Sequence, residues 1–443
     1  MAEITSGRAR RMLSVGGLTT SVGGSYLWQA LKRPFQSASE QDRTLLETHV
    51  RNAAKIVSRS QELRGAFMKL VQMLSMRNDL LPPEALDVLA TVQSQVPPMP
   101  YERVREVVIE DLGQPPEALF EHFEPEAFAA ASLGQVHRAR LPGGRTVAVK
   151  VQYPGVDATV RQDIKNIRAL ITVFTSIARD VMGQQVDKDE VAEELEARLA
   201  EELDYRAEAQ NLERFRALLA DDPEVVVPRV FPARSGRRVL TMQYLRGYPL
   251  SDLLLPGVDQ GLKDWLALKL FRLLWRQVLE LGALHGDPHP GNYLVTHHPR
   301  LGLLDFGSVR FFEPAIRRGY LRLARGILAG DDAEMAAACG DLGYQGGDPE
   351  ALVRILHVVC EPLEHDTEYD ARNYDLVERG WRIQQIAFAH KQLGAAPGHQ
   401  VLLLRALAGL DAHLKALGAV HNYRRLFAEV VEAAAARHRE EDA

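Results

Sequence analysis

The chain has 443 residues, 46% of them hydrophobic, and its 53 lysines and arginines face 59 aspartates and glutamates for a formal charge of −6. That length exceeds what one hydrophobic core usually fills, so two lobes or domains are expected, and the interspersed, slightly acidic charge excludes the global basic field that nucleic acid recruits. Two cysteines, Cys339 and Cys360, lie in apolar surroundings without metal-ligand spacing; they read as core residues of a protein from a reducing compartment and exclude a disulfide framework.

In chain order, Arg8, Arg10 and Arg11 precede a small-residue stretch from Gly16-Gly17 to Gly23-Gly24 without the long apolar region of a secretory signal. Residues 1–38 read as a flexible leader, with an organelle-transit or membrane-surface role as the alternative. From Ser39, a candidate N-cap, apolar positions recur at helical spacing to about Met76, Pro82-Pro83 starts another helix, and further helices are expected over Tyr101–Leu112 and Pro116–Phe123. Residues 39–124 therefore form a helical extension. The period then changes: residues alternate between Phe128 and Val151 around a turn at Leu141-Pro142-Gly143-Gly144, which predicts a hairpin ending in the β-rich run Thr146 to Val151.

Two long helices are expected next, over Val156–Met182 and Lys188–Leu219, then strands over Val225–Val230 and Arg238–Tyr244. The most apolar window in this part, Ile167 to Val181, is broken by Arg168 and Arg179, so no membrane-spanning helix is predicted. Beyond Gly247 the pattern is helical to Leu284, Tyr293–Thr296 and Leu301–Leu304 are short strands, and helices fill the chain from about Glu313. Residues 125–247 thus form a strand-rich lobe with inserted helices and residues 248–443 a helical lobe.

The densest cluster of reactive side chains is His285-Gly286-Asp287-Pro288-His289-Pro290-Gly291-Asn292, followed by Leu304-Asp305-Phe306-Gly307. Phosphoryl transfer requires a carboxylate to orient or deprotonate the nucleophile, and an amide and a second carboxylate to hold magnesium on the phosphates. In the kinase pattern of Asp, four residues, Asn, then Asp-Phe-Gly, Asp287 takes the first role and Asn292 and Asp305 the second. A strand lysine that holds phosphates is also needed. Lys150, which ends Val147-Ala148-Val149-Lys150, supplies it.

The acidic partner of Lys150 is expected on the long acidic helix among Glu201, Glu202, Asp204 and Glu208. At 100° per residue Asp204 and Glu208 share a face, whereas Glu202 lies about 200° from Asp204, so Glu202 and Asp204 contact different groups or the helix is interrupted between them.

Four segments together resemble one family. Phe67-Met68-Lys69-Leu70-Val71-Gln72, Ala129-Ala130-Ala131-Ser132-Leu133-Gly134-Gln135-Val136-His137, Glu202-Leu203-Asp204-Tyr205 and the two magnesium motifs are similar to the UbiB family of atypical kinases, the aarF-domain proteins associated with quinone biosynthesis. The resemblance implies an α+β, bilobal protein-kinase-like fold with a helical N-terminal extension and a mostly helical C-lobe. It makes Lys150 the phosphate-holding lysine, Glu208 its partner, Asp287 the catalytic acid, and Asn292 and Asp305 the Mg2+ ligands for ATP or ADP. The alanine-rich stretch, Ala129, Ala130, Ala131, Ser132, Leu133, Gly134 and Gln135, takes the place of a glycine-rich phosphate loop, and Met242 and Tyr244 join it around the nucleotide. Lys69 and Gln72, neighbours on one helical face, are implied to pack over the site and meet Glu202 and Asp204. Val71 stands where the family carries glycine, and its branched side chain implies weaker closure.

After Gly307 the helical pattern returns by about Glu313 and no Ala-Pro-Glu follows, which leaves no room for a peptide-docking segment. The expectation is a small-molecule kinase or ATPase rather than a protein kinase. As the resemblance implies, it would be cytoplasmic or peripheral to a membrane, answer to a small-molecule or lipid effector, work with quinone-biosynthesis proteins, and bind no nucleic acid. The alternatives are a pseudokinase that binds nucleotide as a switch, and a scaffold for a biosynthetic complex.

Overall fold

A computed structural model describes residues 98–155 except 132, 188–344, 348–373 and 397–441, with scattered helical positions between 21 and 58, 168 and 175, and 379 and 386. Lys69, Val71, Gln72 and Ser132 lie outside the described residues, as do most of the leader, of the helices expected between Ser39 and about residue 97, and of the helix expected over Val156–Met182. The chain divides into two compact units, one of residues 1–210 and 230–244, the other of residues 211–229 and 245–443.

In the first unit, α1 (Tyr101–Leu112) ends where Gly113 turns left-handed at φ 75° and its N–H returns to the Ile109 carbonyl. Val104, Val107 and Val108 fall on one face of α1 and are buried. A short α2 (Pro116–Leu119) leads into β1 (His122–Ala131), followed by β2 (Gly134–Arg140) and β3 (Thr146–Gln152). The helix expected over Pro116–Phe123 therefore stops at Leu119, because Phe120 and Phe123 are taken into the core that α1 builds on the sheet. With β5 (Val239–Gln243) the strands make an antiparallel sheet in the order β1-β2-β3-β5.

Alternation along β3 sorts its two faces. Val147, Val149 and Val151 pack under α1 with Val104, Val107, Val108 and Val239, which sends Ala148 and Lys150 to the opposite face. Each fully buried valine contributes about 1.5 kcal/mol or more. The Asp111 carboxylate at the end of α1 pins the approach to β5 by accepting the backbone N–H groups of Arg238 at 2.8 Å and Val239 at 3.0 Å.

The single helix expected over Lys188–Leu219 is two, α3 (Lys188–Glu202) and α4 (Tyr205–Leu218), interrupted at Leu203-Asp204. Asp204 is the N-cap of α4: its Oδ1 accepts the Arg206 backbone N–H at 3.0 Å. The division of the chain falls within α4, after Gln210.

In the second unit β4 (Val225–Val226), β6 (Gly247–Pro249), β8 (Tyr293–Thr296) and β9 (Leu301–Leu303) form a small sheet in the order β4-β9-β8-β6, and β7 (Ala283–His285) pairs with β10 (Val309–Phe311). The strand expected over Val225–Val230 thus covers two residues, and the stretch expected to be helical from Gly247 to Leu284 opens on β6 and ends in β7, with α5 (Leu250–Leu253) and α6 (Gln260–Arg276) between them. Asp259 caps α6, and a π-helical turn over Gln277–Leu281 continues it.

Among the described residues the helices that follow are α7 (Pro314–Ala329), α8 (Asp332–Asp341), α9 (Pro349–Glu364), α10 (Gly398–Leu417) and α11 (Tyr423–Glu441); β11 (Tyr369–Asp370) pairs with β12 (Val420–His421). Both cysteines are buried and unbonded, and burial pushes the thiol of Cys339 up to about 11 and that of Cys360 up to about 12. They are core residues.

Candidate functional site

Lys150 is placed by the pleat. On β3 it lies opposite Val136 of β2 and Leu240 of β5, and Ala148 two residues earlier lies opposite Arg138 and Met242. Val136, Arg138, Ala148, Lys150, Leu240 and Met242 therefore share the face of the sheet turned away from α1. Lys150 Nζ donates to both carboxylate oxygens of Glu208 at 2.8 Å, and each side chain is only 6% exposed. The Tyr205 ring lies 5.0 Å from the same ammonium. Glu208 sits in the first turn of α4, so the cap that starts this helix at Asp204 also sets the carboxylate that meets Lys150.

That arrangement separates the Glu-x-Asp residues. Glu202 closes α3, while Asp204 caps α4 and receives the Arg206 guanidinium at 2.7 and 2.9 Å, which holds its carboxyl below the usual range. The expected meeting of Asp204 with Lys69 and Gln72 falls outside the described residues; the partners described for its carboxylate are on Arg206.

The alanine-rich stretch is mostly strand. Ala129, Ala130 and Ala131 end β1 and pair with Val136, Gln135 and Gly134. Gly134 admits no side chain, because a Cβ there would come within 3.0 Å of the Val151 carbonyl on β3. Leu133 is buried. Gln135 differs from the expectation that it serves the nucleotide: its side chain lies on the α1 face, where Oε1 accepts the Met99 N–H at 2.7 Å and the amide nitrogen lies 2.8 Å from His137 Nε2. His137 Nδ1 lies 2.9 Å from the Glu124 carbonyl. A carbonyl only accepts, so the proton is on Nδ1 and Nε2 accepts from Gln135. Burial lowers the pKa of this histidine.

At the edge of the Lys150 face, the Arg138 guanidinium lies 4.8 Å from the Tyr244 ring and donates to its hydroxyl at 3.1 Å, and exposed Phe128 meets Tyr244 edge-on at 5.6 Å. Arg138 and Phe128 carried no signal in the sequence, since they stand 106 and 116 residues from Tyr244 and match no motif.

In the second unit the segments that carry Asp287–Asn292 and Asp305–Gly307 are joined through their backbones: Leu304 N–H donates to the Asn292 carbonyl at 2.8 Å, and Gly286 N–H to the Ser308 carbonyl at 2.8 Å. Asn292, in a 3-10 turn of Pro290–Asn292, donates its amide to Asp287 Oδ2 at 2.8 Å and to the Asp287 carbonyl at 3.2 Å. Asp305 has φ 55°, the only positive φ outside glycine among the described residues, and its Oδ1 accepts the Gly307 N–H at 3.1 Å. A left-handed aspartate stores about 1 kcal/mol or more and is typical of a site held by its surroundings.

Those surroundings are well defined. His285 Nε2 donates to the Asp305 carbonyl at 2.7 Å and the Leu304 carbonyl at 3.2 Å, which places its proton on Nε2. Phe306 is fully buried between Phe215 at 5.2 Å and His285 at 5.1 Å, and Asn211 donates to its carbonyl at 3.0 Å. Asp287 has one more partner that motif spacing gave no sign of: Arg405 Nη2 of α10 donates to its Oδ1 at 2.6 Å. The donor set suits magnesium, because Asp305 offers carboxylate oxygens and Asn292, with its nitrogen turned to Asp287, presents its amide oxygen elsewhere; both are hard oxygen ligands.

An antiparallel sheet with a buried Lys-Glu pair on one face, and a mainly helical unit with Asp287, Asn292 and a left-handed Asp305 on adjacent turns, define a kinase-like protein of α+β class. The sequence model of the ABC1 atypical kinase-like domain matches residues 91–339, more than half of the chain. The chain belongs to this family of atypical kinases, the UbiB group. It is 29% identical over 441 residues to the mitochondrial atypical kinase COQ8B of Danio rerio, covering 97% of this chain and 69% of that protein. The COQ8B of Rattus norvegicus is 30% identical over 417 residues, 92% of this chain and 77% of that one. A solved complex of Rv3197 with erythromycin, from Mycobacterium tuberculosis, is similar with a TM-score of 0.61 and 27% identity over 89% of this chain and 98% of that chain.

Proposed function

We propose that the chain is a magnesium-dependent atypical kinase or ATPase that binds ATP or ADP, acts on or is driven by a small molecule or lipid, and supports isoprenoid quinone biosynthesis. The observation that carries the proposal is the Asp287–Asn292 pair: one amide nitrogen holds the acid by its carboxylate and its carbonyl and leaves the amide oxygen for a metal. Lys150, fixed by Glu208, holds the phosphates, and the apolar positions Val136, Ala148, Leu240 and Met242 on the same face accommodate the base. Asn292 and Asp305 would hold Mg2+, which neutralises phosphate charge. Asp287 orients the attacking hydroxyl or water and accepts its proton.

The stretch after Asp-Phe-Gly supports a small acceptor over a peptide, since only β10 lies between Gly307 and the start of α7 at Pro314. No described helix is long and apolar enough to cross a membrane, so access to a lipid would be through the membrane surface. The relatives named mitochondrial atypical kinases COQ8B support the quinone assignment. The test is phosphate release from Mg-ATP, with and without lipid vesicles or a phenol, by wild type and Asp287→Asn. Loss of the acid is expected to slow release about a hundredfold. Equal release by both proteins would refute catalysis.

A further inference from the structure

Helix α10 lies beyond residue 339, where the family match ends, yet one of its faces is fitted to the loop that carries Asp287. Positions 402, 405, 409 and 413 recur every three or four residues and form one stripe along the helix. Leu402 lies against Gly286, where an added Cβ would come within 3.0 Å of the leucine side chain. Arg405 donates to Asp287. Gly409 faces Pro288 so closely that a Cβ on the glycine would come within 3.0 Å of the proline ring. His413 Nε2 donates to the Pro288 carbonyl at 2.7 Å. Three consecutive loop residues, Gly286, Asp287 and Pro288, are thus each matched by this stripe.

The consequence falls on the Asp287 carboxylate. It is held at Oδ1 by Arg405 at 2.6 Å and at Oδ2 by Asn292 at 2.8 Å. A carboxylate otherwise turns through a broad range about its last torsion; bonds to its two oxygens from two different elements fix its plane. The side chains are 29% and 25% exposed, and a pair this accessible to water contributes little to stability, against a comparable entropy cost for holding an arginine in one rotamer. Orientation, rather than stability, accounts for the contact.

We propose that Arg405 is a positioning residue that sets the plane of the Asp287 carboxylate for phosphoryl transfer, so that α10, outside the matched kinase-like domain, completes the site. This inference rests on the catalytic reading of Asp287 given above. Because a displacement of about 1 Å at a reacting group costs up to about a hundredfold in rate, losing one of two anchors is expected to lower kcat while leaving the nucleotide-holding residues Lys150 and Glu208 untouched.

The test compares full-length wild type, Asp287→Asn, Arg405→Ala, Arg405→Lys and the double variant Asp287→Asn/Arg405→Ala, with kcat and KM from phosphate release and Mg-ATP affinity from calorimetry. Arg405→Ala is expected to lower kcat about tenfold or more with KM and affinity within about twofold, and Arg405→Lys to recover a substantial part. The double variant should be no slower than Asp287→Asn alone, because Arg405 acts only through Asp287. Unchanged or raised kcat in Arg405→Ala, a parallel loss of nucleotide affinity, or a lysine variant no better than alanine overturns the inference. Release that depends on Asp287 but not on Arg405 overturns it alone; equal release by wild type and Asp287→Asn overturns the catalytic reading with it.

Discussion

Glu208→Gln isolates the energetics of the first unit. The substitution keeps the shape of the side chain and removes its charge, leaving the Lys150 ammonium, 6% exposed, without the Glu208 carboxylate. Breaking a buried pair from one side costs about 3–5 kcal/mol, whereas replacing both partners by apolar residues is commonly neutral or stabilising. For a unit of this size each kcal/mol lowers Tm by about 2–4 °C, so Glu208→Gln should lose on the order of 10 °C in a thermal melt followed by circular dichroism. The double variant Lys150→Met/Glu208→Leu should recover most of that loss, yet bind no Mg-ATP in calorimetry. A shift below about 2 °C for Glu208→Gln, or a double variant less stable than the single one, would refute the buried-pair argument.

Two further predictions follow from the same sheet. Gly134→Ala forces a Cβ into the Val151 carbonyl, and because that obstacle is backbone, the β1–β2 turn must shift; a loss of about 1–3 kcal/mol is expected by urea unfolding, and full stability would contradict the close approach. His137, buried and lowered from its ordinary 6.5, binds fewer protons folded than unfolded, so its contribution is present above about pH 6.5 and lost as pH falls toward the folded value. His137→Leu should therefore show a flatter fall in stability between pH 7 and 5 than wild type, and parallel profiles would refute the assignment.

What was legible in the sequence was local. The spacing of Asp287, Asn292 and Asp305 is a property of two tight turns, and the structure places these residues on backbone-linked turns after β7 and β9. The alternation around Lys150 located it on a strand, and Glu208 is found paired with it. The awkward angle between Glu202 and Asp204 left an interruption open, and the interruption is there, with Asp204 as a cap. Phe120 and Phe123 fit a helix and a strand equally well in isolation, and only their burial against α1 decides between them. Arg405 was invisible for another reason: it meets Asp287 across 118 residues, and no periodicity or motif encodes a contact at that range.

The central proposal, that Lys150 holds phosphate while Asn292 and Asp305 hold Mg2+ and Asp287 serves the transfer, is tested most directly by calorimetric titration of ATP and ADP into wild type, Lys150→Met and Asp305→Asn, each with Mg2+ and with EDTA. The account predicts one saturable site in wild type that weakens at least about tenfold without Mg2+ or in either variant, consistent with the loss of a charge-assisted phosphate or metal contact. Equal affinity with EDTA, or in Asp305→Asn, would contradict it.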